Sequence, residues 1–178
     1  EHAVTRILAE AGTLAEAAPR VIQTMCETMG WHCGARWEMA KVAGALRCID
    51  SWGVDTAGIR EFRAENSKRV INPESSSGRG RIRHIYNAGQ PHWIADIGQE
   101  PGLLRAAMVR KAGLHGAFGF PVMLGSEVFG VMEFFDRDVR EPDALLLGIA
   151  ESIGNQIGQF VARRQAEERV HHLAKYDE

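Results

Sequence analysis

The amino-acid sequence predicts an α+β domain built on an antiparallel sheet. Three observations carry this: apolar residues at helical spacing near both ends, strand-like runs in two pairs joined by tight turns, and the element order. That order is helices, two strands, a mixed middle, a hairpin and a helix. Val4, Ile7, Leu8, Ala11 and Leu14 recur at helical spacing. A second stripe, Val21, Ile22, Met25, Cys26 and Met29, ends at Gly30, a good helix terminator. Thr13-x-x-Glu16 reads as a capping box, and Pro19 lies near enough to the helix start to be tolerated. Strand-like runs follow at Cys33 to Met39 and Leu46 to Trp52, joined by a turn containing Gly44.

Residues 53–100 carry Phe62, Val70, Ile82, Ile85, Trp93 and Ile94 between turn-forming stretches such as Asn72-Pro73 and Ser75-Ser76-Ser77-Gly78. A structureless loop of that length is foreign to a compact domain, so short elements are expected there. Leu103 to Leu114 is expected as one helix, with Leu104, Met108, Val109 and Ala112 on one side. Phe118 to Leu124 and Val128 to Phe135 flank Gly125-Ser126, a pair suited to a type II′ hairpin turn. Pro142 to Tyr176 reads as one long helix with the stripe Leu146, Ile149, Ile153, Ile157 and Phe160. Beyond Phe160 only Ala162, Ala166, Val170 and Leu173 continue it, at the spacing of a weak coiled-coil seam.

A chain of 178 residues suits one domain, and 45% hydrophobic with 25% charged residues is ordinary for a globular protein. With 21 basic against 23 acidic side chains, nothing points to a nucleic-acid or membrane partner. Cys26, Cys33 and Cys48 are an odd number among apolar neighbours. They are expected to be reduced, buried and non-catalytic in a reducing compartment. No apolar run nears the roughly 18 residues of a membrane span, and no signal peptide opens the chain. Glu1 is no initiator and the last residues keep helical character, so the reading is a cytoplasmic fragment of a longer protein.

Three stretches together carry a family resemblance. The first runs from Gly80-x-Ile82 through His84-Ile85 and Ala88-Gly89-Gln90-Pro91 to Trp93-Ile94-Ala95-Asp96-Ile97. The second is Gly119-Phe120-Pro121-Val122 followed by Gly125 and Gly130-Val131-Met132-Glu133-Phe134. The third is the pair of flanking helices, Leu14 to Gly30 and Pro142 to Phe160. In this order they resemble a GAF domain over about residues 3–162. The resemblance implies an antiparallel sheet of about six strands, with terminal helices on one face and a ligand-pocket segment on the other. It divides the chain into a sensory domain at 1–162 and the start of a coiled-coil linker at 163–178. His172-Leu173-Ala174-x-Tyr176-Asp177-Glu178 is similar to the entry into a GGDEF diguanylate cyclase domain, whose catalytic motif would lie further on.

Catalytic signatures are scarce. There is no nucleophile elbow, Walker loop or HExxH, and Gly78-x-Gly80-x-x-Arg83 has arginine where a dinucleotide fingerprint needs glycine. Cys26, His32 and Cys33 lack a second pair to complete a structural zinc site. Bilin-binding relatives use a cysteine near Leu104 to His115, where none occurs. Relatives that reduce free methionine sulfoxide place a cysteine directly after a similar "GRG", at the position of Arg81. Asn66-Ser67-Lys68 matches the cyclic-nucleotide motif poorly. His84 and His115 could ligate haem, but solvated or hydrogen-bonded rings are the plainer reading. No cofactor can be named.

Position within the resemblance makes Trp37, Phe62, Ile82, Ile85, Trp93, Met108, Phe120 and Met132 candidate pocket walls, with Ser77, Asp96 and Arg105 orienting a small molecule. The plainer alternative is that these aromatics and methionines are ordinary core. The Arg79-Arg81-Arg83 run reads as a solvated face, its rival role being attraction of an anionic ligand. The expected function is a regulatory sensor, with a ligand-free dimerisation module as the second class. The output domain could be a diguanylate cyclase, a histidine kinase or a transcription regulator. A thiol reductase is third, disfavoured by Arg81. The helix stripe looks wider than one sheet contact requires, so a parallel homodimer through the terminal helices is expected, with Ile153 and Ile157 facing their mates.

Overall fold

The computed structural model describes residues 2–40, 43–74, 80–100, 102–103 and 105–176. The Ser75-Ser76-Ser77-Gly78 stretch with the expected ligand residue Ser77, together with Arg79, Leu104 and the terminal Asp177-Glu178, lies outside them. The elements are α1 His2–Glu10, α2 Leu14–Met29, β1 Cys33–Ala40, β2 Ala45–Gly53, α3 Ala57–Lys68 and β3 Val70–Ile71. After these come α4 Arg81–Ala88, β4 His92–Ile94, α5 Ala106–Lys111, β5 Gly116–Leu124, β6 Glu127–Asp136 and α6 Ala144–Tyr176.

The strands form one six-stranded antiparallel sheet in the order β3-β2-β1-β6-β5-β4. Alternation along each strand sorts the side chains. Phe118, Phe120, Val122, Met132 and Phe134 point to one face and are buried against α1, α2 and α6. Cys33, Trp37, Ala117, Val131 and Phe135 point to the other and meet α3, α4 and α5. The expected α+β class and its two-sided helical cover are therefore both present.

Local chemistry explains the boundaries. Thr13 Oγ1 accepts the Glu16 N–H at 3.2 Å, and Glu16 Oε2 reaches back to the Gly12 N–H at 3.1 Å. Pro19 lies inside α2 rather than in its first turn, so the helix loses one backbone bond there. Asp143 caps α6, its Oδ1 accepting N–H bonds from Leu145 and Leu146. At the β5–β6 turn Gly125 has φ +64° and no described non-glycine residue has positive φ, the pattern of the expected type II′ turn.

The middle segment contains elements, as expected, among them α3, whose buried residues are only Ile59, Phe62 and Asn66, a one-residue-wide stripe. One expectation changes: the helix expected over Leu103 to Leu114 is confined to Ala106–Lys111.

The stripe of α6 is consumed by the chain's own sheet. Ile153 and Ile157 are 0% and 1% exposed, in one cluster with Phe120, Met132 and Phe134. They do not face a second copy. Gly154 and Gly158 let the helix descend this far: a Cβ on Gly158 would lie 1.9 Å from the Met123 carbonyl oxygen. No helix of the described residues is long and apolar enough to cross a membrane.

Candidate functional site

On the face opposite the terminal helices, a cavity of about 240 Å³ opens between the sheet, the start of α4 and α5. Its apolar wall includes Ile71, Ile82, Ile97, Val109 and Phe135. Its polar wall includes Arg69, Arg81, Arg83 and Arg105, and no Asp or Glu is among the described lining residues.

Behind this wall sits Glu133, in the middle of β6 and fully buried. Arg105 grips it with both ends of its fork, Nη1 donating to Oε1 at 2.8 Å and Nη2 to Oε2 at 2.7 Å. Arg81 Nη1 donates to Oε2 at 3.0 Å and Trp37 Nε1 to Oε1 at 2.9 Å. Each carboxylate oxygen thus accepts two bonds, which uses its full capacity. Arg105 Nη1 also donates to Asn66 Oδ1 of α3 at 3.0 Å. Glu133 therefore ties β1, α4, α5 and, through Arg105, α3 to the sheet.

The electrostatics are unequal. Burial alone would raise the Glu133 carboxyl, but the charge and bonds of Arg105, with Arg81 and Trp37 behind them, hold it below the ordinary carboxylate range. Arg105 is likewise buried, yet the Glu133 charge raises its pKa above the usual guanidinium value. Arg81 fares worse: burial brings it down to about 10, and neighbouring Arg105 adds to the effect. The guanidinium of Arg81 lies 5.4 Å from the Phe135 ring centroid, and that of Arg105 lies 5.1 Å from the Trp37 ring centroid.

The described candidate residues separate into five groups. Ile82 and Arg105 lie on the cavity wall. Trp37, Ile85 and Phe62 lie on the same face but behind the wall; Phe62 stands edge-on to Phe135 at 5.1 Å. Met108 is half-buried at the outer side, its sulfur accepting from Arg69 Nη2 at 3.2 Å. Trp93, Phe120 and Met132 are on the opposite face, in the helix-covered core; Trp93 packs on Trp31 and Phe118. Expecting them in the pocket was a parity error, because adjacent strand residues face opposite ways. Asp96 is also outside the cavity. It caps the 3₁₀ turn Ile97–Gln99 and bonds His115 Nδ1 at 3.2 Å, and that bond with the Gly98 N–H holds its carboxyl below the usual range.

Sequence reasoning missed Glu133 and Asn66 as site residues. Arg81 reads in the sequence first as part of a solvated face, with attraction of an anionic ligand as its rival role; its side chain is only 5% exposed. The signal for Glu133 was present: a glutamate at an inward-facing position of a strand otherwise apolar on that side.

Of the other candidates, the His84 ring stands edge-on to His92 at 5.0 Å. Cys26 and Cys33 are buried and Cys48 half-buried. Burial raises the Cys26 and Cys48 thiols from 9.0 to about 12 and the Cys33 thiol well above its ordinary value. Iodoacetamide at pH 8 should therefore leave all three unmodified in the folded domain and alkylate all three in guanidinium. Alkylation of the native protein, read by mass spectrometry, would contradict this.

No curated protein matches the chain in sequence. Among solved structures it is similar to the GAF domain from a phosphoenolpyruvate-protein phosphotransferase (ptsP) of Coxiella burnetii. The TM-score is 0.76 and the identity 16%, over 93% of this chain and 92% of that one. The GAF domain from the Acinetobacter phosphoenolpyruvate-protein phosphotransferase gives a TM-score of 0.71 at 10% identity, over 94% and 96%. The free methionine-R-sulfoxide reductase of Neisseria meningitidis, solved with its substrate, gives 0.66 at 13%, over 90% and 86%. At these identities the likeness is one of fold. The sequence evidence is independent of it: the family model described as GAF domain matches residues 11–162, the greater part of the chain, and the chain belongs to the GAF domain family.

Proposed function

We propose that this GAF domain is a non-catalytic sensor that holds a small molecule in the cavity beside Glu133 and passes its occupancy to α6. GAF domains are typically regulatory sensors in signalling proteins, which supports the class. The observation that carries the reading here is the two-sided construction of β6. Glu133 and Phe135 face the cavity layer, while Met132 and Phe134, their chain neighbours, pack in one cluster with Ile153, Ile157 and Phe160 of α6. A shift of β6 on ligand binding therefore bears directly on the helix that leaves the domain. A ligand biases such a device only by its difference in affinity between the two states.

The exit half of α6 supports a homodimer relay to an output domain such as a diguanylate cyclase. Val170 and Leu173 are 68% and 65% exposed, so the far end of the thin seam is left uncovered by the described residues. Val170→Glu with Leu173→Glu should give a monomer in sedimentation with an unaltered melting curve. An unchanged dimer in that variant, or a monomeric parent at high concentration, would reject the relay. Mass spectrometry of small molecules extracted from the purified domain tests the sensor itself. A stoichiometric metabolite supports it; an empty cavity in a domain that answers to no ligand leaves a dimerisation module.

A further inference from the structure

We infer that the cavity takes a small organic anion, a carboxylate on a short apolar body, and that Arg81 is the cation it neutralises. The inference rests on the sensor reading above and names the ligand class for that same site.

The buried charges do not balance. Arg81 and Arg105 bring two positive charges and Glu133 one negative, and all three side chains are less than one-tenth exposed. Glu133 has no acceptor capacity left, since each oxygen already receives two donors. Asn66, the remaining partner of Arg105, is neutral. One buried cation is left over, and an uncompensated buried charge is costly. The surplus falls on Arg81. Arg105 has a bidentate grip and an amide bond, whereas Arg81 has one bond through Nη1, and its Nε and Nη2 are buried without a partner among the described residues. Those two atoms share one edge of the planar guanidinium, the fork that matches the two oxygens of a carboxylate.

The surroundings select the same chemistry. Arg69 and Arg83 add positive charge to the wall, and no described lining residue is acidic. Gly80, Arg81, Ile82 and Arg83, the cap and first turn of the eight-residue α4, all line the cavity, so its N-terminal N–H groups favour negative charge there. Gly80 has no side chain to cap them. Ile71, Ile82, Ile97, Val109 and Phe135 would take an aliphatic body, which an inorganic anion would leave unfilled. The volume, about 240 Å³, is below the roughly 300–1,000 Å³ of drug-sized sites and sets the ligand at the scale of a small metabolite. The Nε–Nη2 edge is covered in this conformation, so binding includes a swing of the Arg81 guanidinium toward the cavity. That swing loosens or re-aims its bond to Glu133 on β6.

Calorimetry and melting of the 178-residue chain test this with defined probes. These are monocarboxylates from acetate to hexanoate with their branched and 2-oxo forms, the matching amides and amines, and inorganic phosphate. The expected result is saturable binding of one or more carboxylates, with the matching amide, amine and phosphate each weaker by roughly tenfold or more. Arg81→Met should lose that carboxylate binding yet melt no lower than the parent without ligand, because it removes the surplus charge. Arg81→Lys should keep part of the affinity, holding the charge without the fork. An amide bound as tightly as its acid, or carboxylate binding untouched in folded Arg81→Met, would overturn the anion inference and leave the sensor reading standing. Phosphate equal to the best carboxylate would overturn the organic body. No binding by any probe to the folded chain overturns the inference; only an empty extract as well would take the sensor reading with it.

Discussion

Ile153→Glu combined with Ile157→Glu is expected to unfold the domain, where the sequence alone led one to expect separated protomers. Both side chains are essentially inaccessible and sit beneath Phe120, Met132 and Phe134. Removing the bulk of a buried isoleucine costs about 2–5 kcal/mol, and two such losses already approach the roughly 5–15 kcal/mol that holds an average domain together. Two carboxylates placed in that apolar layer add a desolvation cost with no cation beside them. Far-UV circular dichroism should show lost helix and no cooperative melt at neutral pH. A folded monomer melting like the parent would instead place these residues in an interface and contradict the packing described here.

The second large effect is expected at Glu133. Glu133→Leu leaves Arg81 and Arg105 buried without their counter-charge, and breaking a buried pair in this way costs about 3–5 kcal/mol. Much of that penalty belongs to the stranded guanidiniums, so adding Arg81→Met and Arg105→Met should recover most of it in denaturant melts. If Glu133→Leu alone is neutral, the ionic cluster is not the organising centre of this face. The pH dependence has a definite sign. Folding lowers the Glu133 pKa below the roughly 4.3 of an unfolded glutamate, so its contribution is complete above that value. It is lost as pH falls through the lower folded value. Glu133→Gln should flatten this acid limb of the stability curve, and a limb of unchanged slope would assign it to other carboxylates.

Much of the frame could be read before any coordinates. Helical spacing located α2 and α6, and turn chemistry located the β5–β6 hairpin. These are local properties: side-chain period, capping groups and residues tolerant of positive φ act over a few positions and are written in consecutive residues. The middle helix α3 escaped because its buried stripe is a single residue wide and its other positions are charged or small, so its period is nearly silent.

What the chain sequence by itself determined was therefore the α+β class, the order of its main elements and the GAF resemblance. Tertiary structure alone decided which strand face lines the cavity, and with it the fate of the candidate residues. Trp93, Phe120 and Met132 are as large and apolar as any pocket wall, but strand parity turns them toward the helices. Glu133 and Arg105 are 28 positions apart, and Arg81 reads as one of three surface arginines until α4 lays it against β6. A charge is solvated or buried according to what the rest of the chain packs upon it, and that is a property of the assembled layers. The same holds for α6: its stripe says that something must cover it, and only the close approach at Gly158 shows that the covering surface is the domain's own sheet.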